Sequence, residues 1–123
     1  MARIVLVDDS KMSRMFLKNI LVAAGHEIVA EGANGLEGFD LYRQHRPDVI
    51  TLDMVMPILT GTDCLKQIMA FDPKANAVMI TSLGKDSFIE ESKALGARAI
   101  VVKPIKDADV LAAVEAAMAV EYA

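Results

Sequence analysis

Five short apolar runs punctuate the chain, at residues 4–7 (IVLV), 27–30 (EIVA), 48–52 (DVITL), 77–81 (AVMIT) and 99–102 (AIVV). Each is rich in Val and Ile, side chains that fit a pleated surface, so the pattern predicts strands. The first, third, fourth and fifth show little polar alternation. Such runs are expected where a strand is covered on both faces, as in a parallel sheet. Between the runs the period changes to that of a helix. Leu17, Ile20, Leu21 and Ala24 follow i, i+3, i+4, i+7 spacing, predicting a helix over 11–24 that Gly25 closes. A second helix is predicted over 36–44, after a turn at Asn34 and Gly35, and a third over 62–70. The fourth covers 87–95, with Phe88, Ser92 and Leu95 on one side and Gly96 at its end. The fifth starts near Asp107, and Val110, Leu111, Val114, Ala117 and Met118 line one face. Strand and helix thus alternate five times, which predicts an α/β fold with a parallel sheet and right-handed crossovers.

Composition narrows this further. A chain of 123 residues with 54% apolar and 24% charged residues suits one globular domain with its own core. The net charge is −4 and no basic run is present, which argues against nucleic-acid binding. Cys64 is the single cysteine, so no internal disulfide forms, as suits a reducing cytoplasm. The apolar run before Asp8 and Asp9 is too short for a signal peptide, and no run approaches the length of a membrane span. The expectation is a soluble, cytoplasmic single domain over 1–123 with no output domain and no contact with membrane.

The candidate chemistry lies in the polar residues that end the runs. Ligands of open α/β sheets bind beyond the carboxyl ends of the strands, where strand order reverses. The first run is followed by Asp8 and Asp9, and the third by Asp53. The fourth ends in Thr81 and Ser82, and the fifth is followed by Lys103 and Pro104. Parallel strands would bring these ends to one rim. Three carboxylates at close quarters raise one another's pKa unless a counter-charge is present. Mg²⁺ answers that need, since it takes oxygen ligands, keeps several waters and favours one or two carboxylates with a phosphate. Lys103 is a point charge suited to a phosphoryl oxygen, and Thr81 can donate a hydrogen bond to another. Asp53 is then a candidate nucleophile that forms an aspartyl phosphate, with Mg²⁺ and Lys103 stabilising charge on the transferring group. Each feature has a plainer alternative. Asp8 and Asp9 with Ser10 could cap the first helix, Thr81 could be an ordinary strand residue, and Lys103 a surface lysine. Asp48, after Pro47, reads as a turn residue.

Taken together, DD (Asp8, Asp9), DMVMPILTG (opening on Asp53), ITS (with Thr81) and VKP (with Lys103) resemble the receiver domains of two-component response regulators. The single-domain CheY-like chemotaxis regulators are the nearest kind. The resemblance spans essentially the whole chain. It implies a flavodoxin-like, doubly wound, five-stranded parallel sheet of order 2-1-3-4-5 with five helices. It implies Mg²⁺ on Asp9, Asp53 and the backbone carbonyl of Val55, with Asp8 helping through water. It makes Asp53 the phosphoacceptor, and a histidine kinase or a small donor such as acetyl phosphate the phosphodonor. Lys103–Pro104 is expected to be cis, which only proline makes cheap. The implied function is a phosphorylation-driven switch that catalyses only its own phosphorylation and dephosphorylation. Its partner, a flagellar switch protein or another signalling protein, would meet the face made by the fourth helix, fifth strand and fifth helix.

The chain departs from the family pattern at several positions. The switch position three residues before the lysine usually carries Tyr or Phe and here is Ile100. Ile105 follows Pro104 where Phe is common. Val55 and Leu83, two residues beyond Asp53 and Thr81, are apolar where the family often has polar side chains. Apolar residues cannot orient an attacking water, so slow loss of the phosphoryl group is expected. Ile58 and Leu59 are unusually apolar for a loop beside the site and suit either a docking spot or packing on the next helix. Lys85, Phe88 and Ser92 are expected at the surface, as are His26 and His45. Met12, Met15, Met54, Met56, Met69, Met79 and Met118 are expected to fill core or loop gaps.

Three other functions compete with this one. An aspartate-nucleophile phosphatase needs a second aspartate two residues after the first, where Val55 stands. A dinucleotide site needs glycines after the first strand, and DDSKMS has none. A scaffold receiver that takes no phosphate, or a phosphate sink, is the remaining alternative, and Ile100 is the residue that favours the scaffold.

Overall fold

The computed structural model describes residues 1–82 and 84–119. Ten elements alternate in the predicted order: β1 (Arg3–Val7), α1 (Lys11–Ala23), β2 (Glu27–Gly32), α2 (Gly35–His45), β3 (Val49–Asp53), α3 (Gly61–Phe71), β4 (Ala77–Thr81), α4 (Asp86–Ala94), β5 (Ala99–Val102) and α5 (Asp107–Met118). All paired strands run parallel, in the order β2-β1-β3-β4-β5. This is the five-stranded receiver-type sheet with five helices that the resemblance implies.

The central strands read as continuous apolar runs because both of their faces are covered. Ile4 and Leu6 of β1 pack with Leu17, Ile20 and Leu21 of α1 and Val110 and Val114 of α5. Val5 and Val7, pointing the other way, pack with Tyr42 of α2 and with Leu65 and Ile68 of α3. In β4, Val78 and Ile80 join the first layer and Ala77 and Met79 the second. Helix starts follow from local chemistry. The side chains of Ser10, Asn34 and Thr60 each accept a backbone N–H three residues on, satisfying donors that a helix start leaves open. Gly25 (φ 93°) and Gly96 (φ 115°) follow α1 and α4 in the left-handed region that glycine adopts without strain.

Several expectations need correction. Gly35 is not a turn residue before α2 but its first residue, with Asn34 as the cap. Asp48 lies just outside β3, and its Oδ2 accepts the Arg3 N–H at 2.8 Å, so it orders the entry to the sheet. β5 packs on both faces, through Val101 in the first layer and Ile100 in the second, but less completely than the central strands. It is an edge strand with a single neighbour, and Val102 is exposed. Ser92 is fully buried rather than at the surface, and Phe88 packs partly into the second layer, because α4 turns this side toward the sheet. His26 does not simply face solvent, since its Nδ1 accepts the Ala2 N–H at 3.0 Å, and His45 is only half-exposed. Met54, Met56 and Met79 are buried and Met69 and Met118 half-buried, but Met12 and Met15 stand exposed on α1. No helix among the described residues is long and apolar enough to cross a membrane.

Candidate functional site

Strand register brings the chemistry to one rim. Val7 pairs with Leu52, Asp53 with Ile80, and Thr81 with Val102. Carried one step further, the same register sets Asp8 level with Asp53, Met54 with Thr81, and Ser82 with Lys103, so the chemistry occupies three successive levels of one rim. Parallel pairing then continues a little beyond the strands. The Asp8 N–H donates to Gly32 O at 3.0 Å, and the Lys103 N–H donates to Thr81 O at 2.7 Å. The peptide bond from Lys103 to Pro104 is cis, as expected.

Asp8, Asp9 and Asp53 each offer a carboxylate oxygen, and these oxygens lie within 4.8 Å of one another. Asp8 and Asp53 are buried, whereas Asp9 is exposed. Asp8 Oδ1 accepts the Ser10 N–H at 2.8 Å, and Ser10 in turn caps α1. The helix-cap alternative thus belongs to Ser10, with Asp8 one layer behind it. Lys103 Nζ stands 3.7 Å from Asp8 Oδ2 and 3.8 Å from Asp53 Oδ1. Both separations exceed hydrogen-bond length, so the ammonium acts as a shared charge between the two carboxylates. Thr81 is buried beside them, and Val55 is exposed in the loop that follows β3. Ile100 is half-buried on β5 and packs with the second layer. Leu83 lies outside the described residues.

The electrostatics favour a cation. Burial and, next, the neighbouring Asp8 push the Asp53 carboxyl above its ordinary range. Asp9 adds to this, while Lys103 and a hydrogen bond from the Val55 backbone oppose it. Asp8 Oδ2 is buried and accepts no hydrogen bond, which leaves an acceptor that a bound cation would satisfy. Every donor in the set is oxygen, the preference of a hard ion such as Mg²⁺. The site therefore fits the group that the resemblance implies.

A stability prediction follows. A carboxyl whose folded-state pKa is raised leaves the folded protein less stable as pH rises through that pKa. Asp53→Asn removes this penalty, so the variant should be more stable than the native chain at neutral pH without metal. The difference should vanish as pH falls below the ordinary carboxylate range. Mg²⁺ at a hundredfold excess over its Kd should stabilise the native chain by about 2.7 kcal/mol and the variant by clearly less. Thermal melts with Mg²⁺ and with chelator, across pH, check both, and equal Mg²⁺ gains in the two proteins would remove Asp53 from the metal set.

Arg14, and the close approach made by Gly61, escape sequence reasoning, whereas the sequence itself singles out Ile58 and Leu59. Arg14, one turn into α1, donates from Nη1 to the Asp8 carbonyl at 2.6 Å and pairs through Nε with Glu31 at 3.2 Å. Its position six residues after Asp8 carries no recognisable signal. Gly61 opens α3 against the backbone of Asp53 and Met54, and its N–H donates to Met54 O at 3.0 Å. Ile58 is 77% exposed with φ 69°, an uncommon conformation for a β-branched residue. Leu59 behaves differently: it packs partly into the second layer and its carbonyl accepts the Gly35 N–H.

Comparison with known proteins agrees with this geometry. The family model for the response regulator receiver domain matches residues 4–115. Protein CcdB of Bacillus subtilis is 39% identical over 118 residues, covering 96% of this chain and 98% of the relative. Chemotaxis protein CheY of the same organism is 38% identical over 112 residues, covering 91% and 93%. Among solved structures, the CheX–CheY complex with BeF₃ and Mg²⁺ from Borrelia burgdorferi superposes with a TM-score of 0.89 at 36% identity, covering 91% of this chain and 85% of that one. A family match over nearly the whole chain, together with relatives of near-equal length, makes this protein a member of the response regulator receiver domain family.

Proposed function

We propose that the protein is a phosphorylation-driven switch whose acceptor is Asp53. The observation that carries this reading is the convergence of Asp8, Asp9 and Asp53 within 4.8 Å, with Lys103 Nζ between the two buried carboxylates. Receiver domains take their phosphoryl groups from histidine kinases, and a small donor such as acetyl phosphate has the same reactive group. Ionised Asp53 attacks the phosphorus, a new P–O bond forms, and the bond to the donor breaks with its electron pair leaving on imidazole or acetate. Bound Mg²⁺, held by Asp9, Asp53 and the Val55 carbonyl with Asp8 acting through water, would neutralise charge on the phosphoryl oxygens. Lys103 holds a positive charge where a phosphoryl oxygen arrives. The Thr81 hydroxyl donates to another and is drawn inward. That movement shifts a pre-existing equilibrium at the face of α4, β5 and α5, where a downstream protein reads it. Ile100 on β5 takes part through packing, with no ring to swing. The chain acts on itself rather than turning over a separate substrate, and the reduced Cys64 suits work in the cytoplasm.

Intact mass after incubation with acetyl phosphate and Mg²⁺ tests the reading. One phosphoryl group should be gained by the native chain, and none with chelator or in Asp53→Ala. A gain that persists in Asp53→Ala overturns the acceptor assignment, and no gain in the folded native chain favours the scaffold alternative.

The exposed, apolar Val55 carries a rate prediction. It cannot orient a hydrolytic water, so the phosphorylated form should be long-lived. Introducing Val55→Asn with Leu83→Glu should shorten the half-life at least about tenfold, less than the roughly hundredfold or more of a full general acid–base group, because these side chains only orient the water. Phosphate release followed over time gives the number, and an unchanged half-life would mean that these positions do not control hydrolysis here.

A further inference from the structure

Thr81 makes a contact that the switch reading leaves unexplained. Its Oγ1 donates to the thioether sulfur of Met54 at 3.7 Å, a separation normal for a sulfur acceptor, and the bond is buried. A threonine hydroxyl has one proton to donate, and the Met54 sulfur is an acceptor within its reach. The backbone that carries this sulfur is held on both sides. The Met54 N–H donates to Ile80 O at 3.2 Å on β4, and its carbonyl accepts the Gly61 N–H at 3.0 Å. The side chain is 8% exposed and packs into the layer that contains Leu52, Met56 and Cys64. The backbone is thus clamped from two elements while the thioether reaches the hydroxyl one strand away.

We infer that Met54 is a positioning residue that holds the Thr81 hydroxyl in its resting place and sets how readily the hydroxyl is released to a phosphoryl oxygen. The inference rests on the proposed acceptor role of Asp53. Thioether sulfur is a weak acceptor, and an anionic phosphoryl oxygen is a strong one. Exchange of one for the other is therefore favourable, yet the resting contact still has to be broken. Because the sulfur bond exists only in the resting state, removing the acceptor raises the population of the state competent to bind. A hydrogen bond of ordinary net strength corresponds to about a two- to tenfold change in equilibrium, and sulfur belongs at the low end of that range.

The test is a double-mutant cycle on Met54 and Thr81, read by equilibrium binding of beryllofluoride in the presence of Mg²⁺. Met54→Leu keeps volume and removes the acceptor. Binding should tighten about two- to fivefold relative to the native chain. Thr81→Val should weaken binding, and Met54→Leu added to Thr81→Val should then change nothing. Met54→Ile, which removes sulfur with a different shape, should shift binding the same way as Met54→Leu, and thermal melts establish that each variant is folded. Unchanged or weaker binding in both folded Met54 variants overturns the inference, as does a Met54→Leu effect that survives in Thr81→Val. Asp53→Asn separates the two levels. Native binding that is lost in Asp53→Asn upholds the acceptor reading whatever Met54 does. Absence of native binding overturns that reading, and this inference with it.

Discussion

Gly61→Ala is expected to destabilise the protein by about 3 kcal/mol, the upper part of the usual range for overpacking, and to abolish phosphoryl acceptance. A Cβ at this position would lie 2.0 Å from Asp53 O, 2.8 Å from Asp53 C and 2.9 Å from Met54 Cα. All three are backbone atoms, so no flexible side chain can swing away. The start of α3 must retreat, or the end of β3 must move. Retreat breaks the Gly61 N–H bond to Met54 O and loosens the layer where Cys64, Leu65 and Ile68 pack against the sheet. Movement of β3 displaces the Asp53 carboxylate from Asp8, Asp9 and Lys103. Both routes damage the site, and the first also costs core packing. Urea denaturation measures the stability loss, and intact mass after acetyl phosphate measures acceptance. A variant within about 1 kcal/mol of the native chain and still phosphorylated would mean that the loop relaxes freely, against the packing argument.

Removing the charge of Lys103 should have the second large effect. Lys103→Met keeps much of the apolar stem and deletes the cation that faces both Asp8 Oδ2 and Asp53 Oδ1. Phosphoryl acceptance should fall by about a hundredfold or more, the usual cost of losing one preorganised group that meets developing charge. Stability should fall too. The lysine side chain is 26% exposed and the separations are long, so the loss is about 1 kcal/mol rather than the several expected for a sealed pair. The pH dependence has a definite sign. Lys103 opposes the rise of the Asp53 pKa, so its removal raises that pKa further. The added penalty is present when Asp53 is ionised, above its folded-state pKa, and disappears as pH falls below the ordinary carboxylate range. Mg²⁺ should restore part of the stability but little of the acceptance, because the ammonium and the metal meet different oxygens. Melts of both proteins across pH, with and without Mg²⁺, test this. A stability loss that persists at low pH would mean that Lys103 acts through packing alone.

The alternation of apolar runs and helical periods was enough to define the fold class, since a buried parallel strand and an amphipathic helix leave different patterns. The polar residues that end the runs pointed to the site for the same reason: parallel strands must present their carboxyl ends together. Asp8, Asp53, Thr81 and Lys103 were legible because each follows or ends an apolar run. AIVV reads as uniformly buried, but how far each residue of β5 is covered depends on the helices that pack against an edge strand, and Val102 is left exposed. Ser92 shares its helix side with Phe88 and Leu95, but a small hydroxyl residue between them carries no apolar signal of its own burial.

What only the tertiary structure decided are contacts between elements distant in sequence. Whether Lys103 stands between Asp8 and Asp53 depends on the register across β1, β3, β4 and β5. The carbonyl of Asp8 meets Arg14 because α1 folds back over the rim. Gly61 is required by the approach of a helix start to a strand end, which leaves no local trace beyond the glycine itself. The sulfur of Met54 reaches the hydroxyl of Thr81 across 27 residues of chain, through packing that no spacing rule encodes. Local pattern determines which residues can carry the chemistry, because propensity and periodicity act over a few residues. Distances, and with them charge balance and hydrogen-bond partners, are set by packing between layers, where the whole chain contributes.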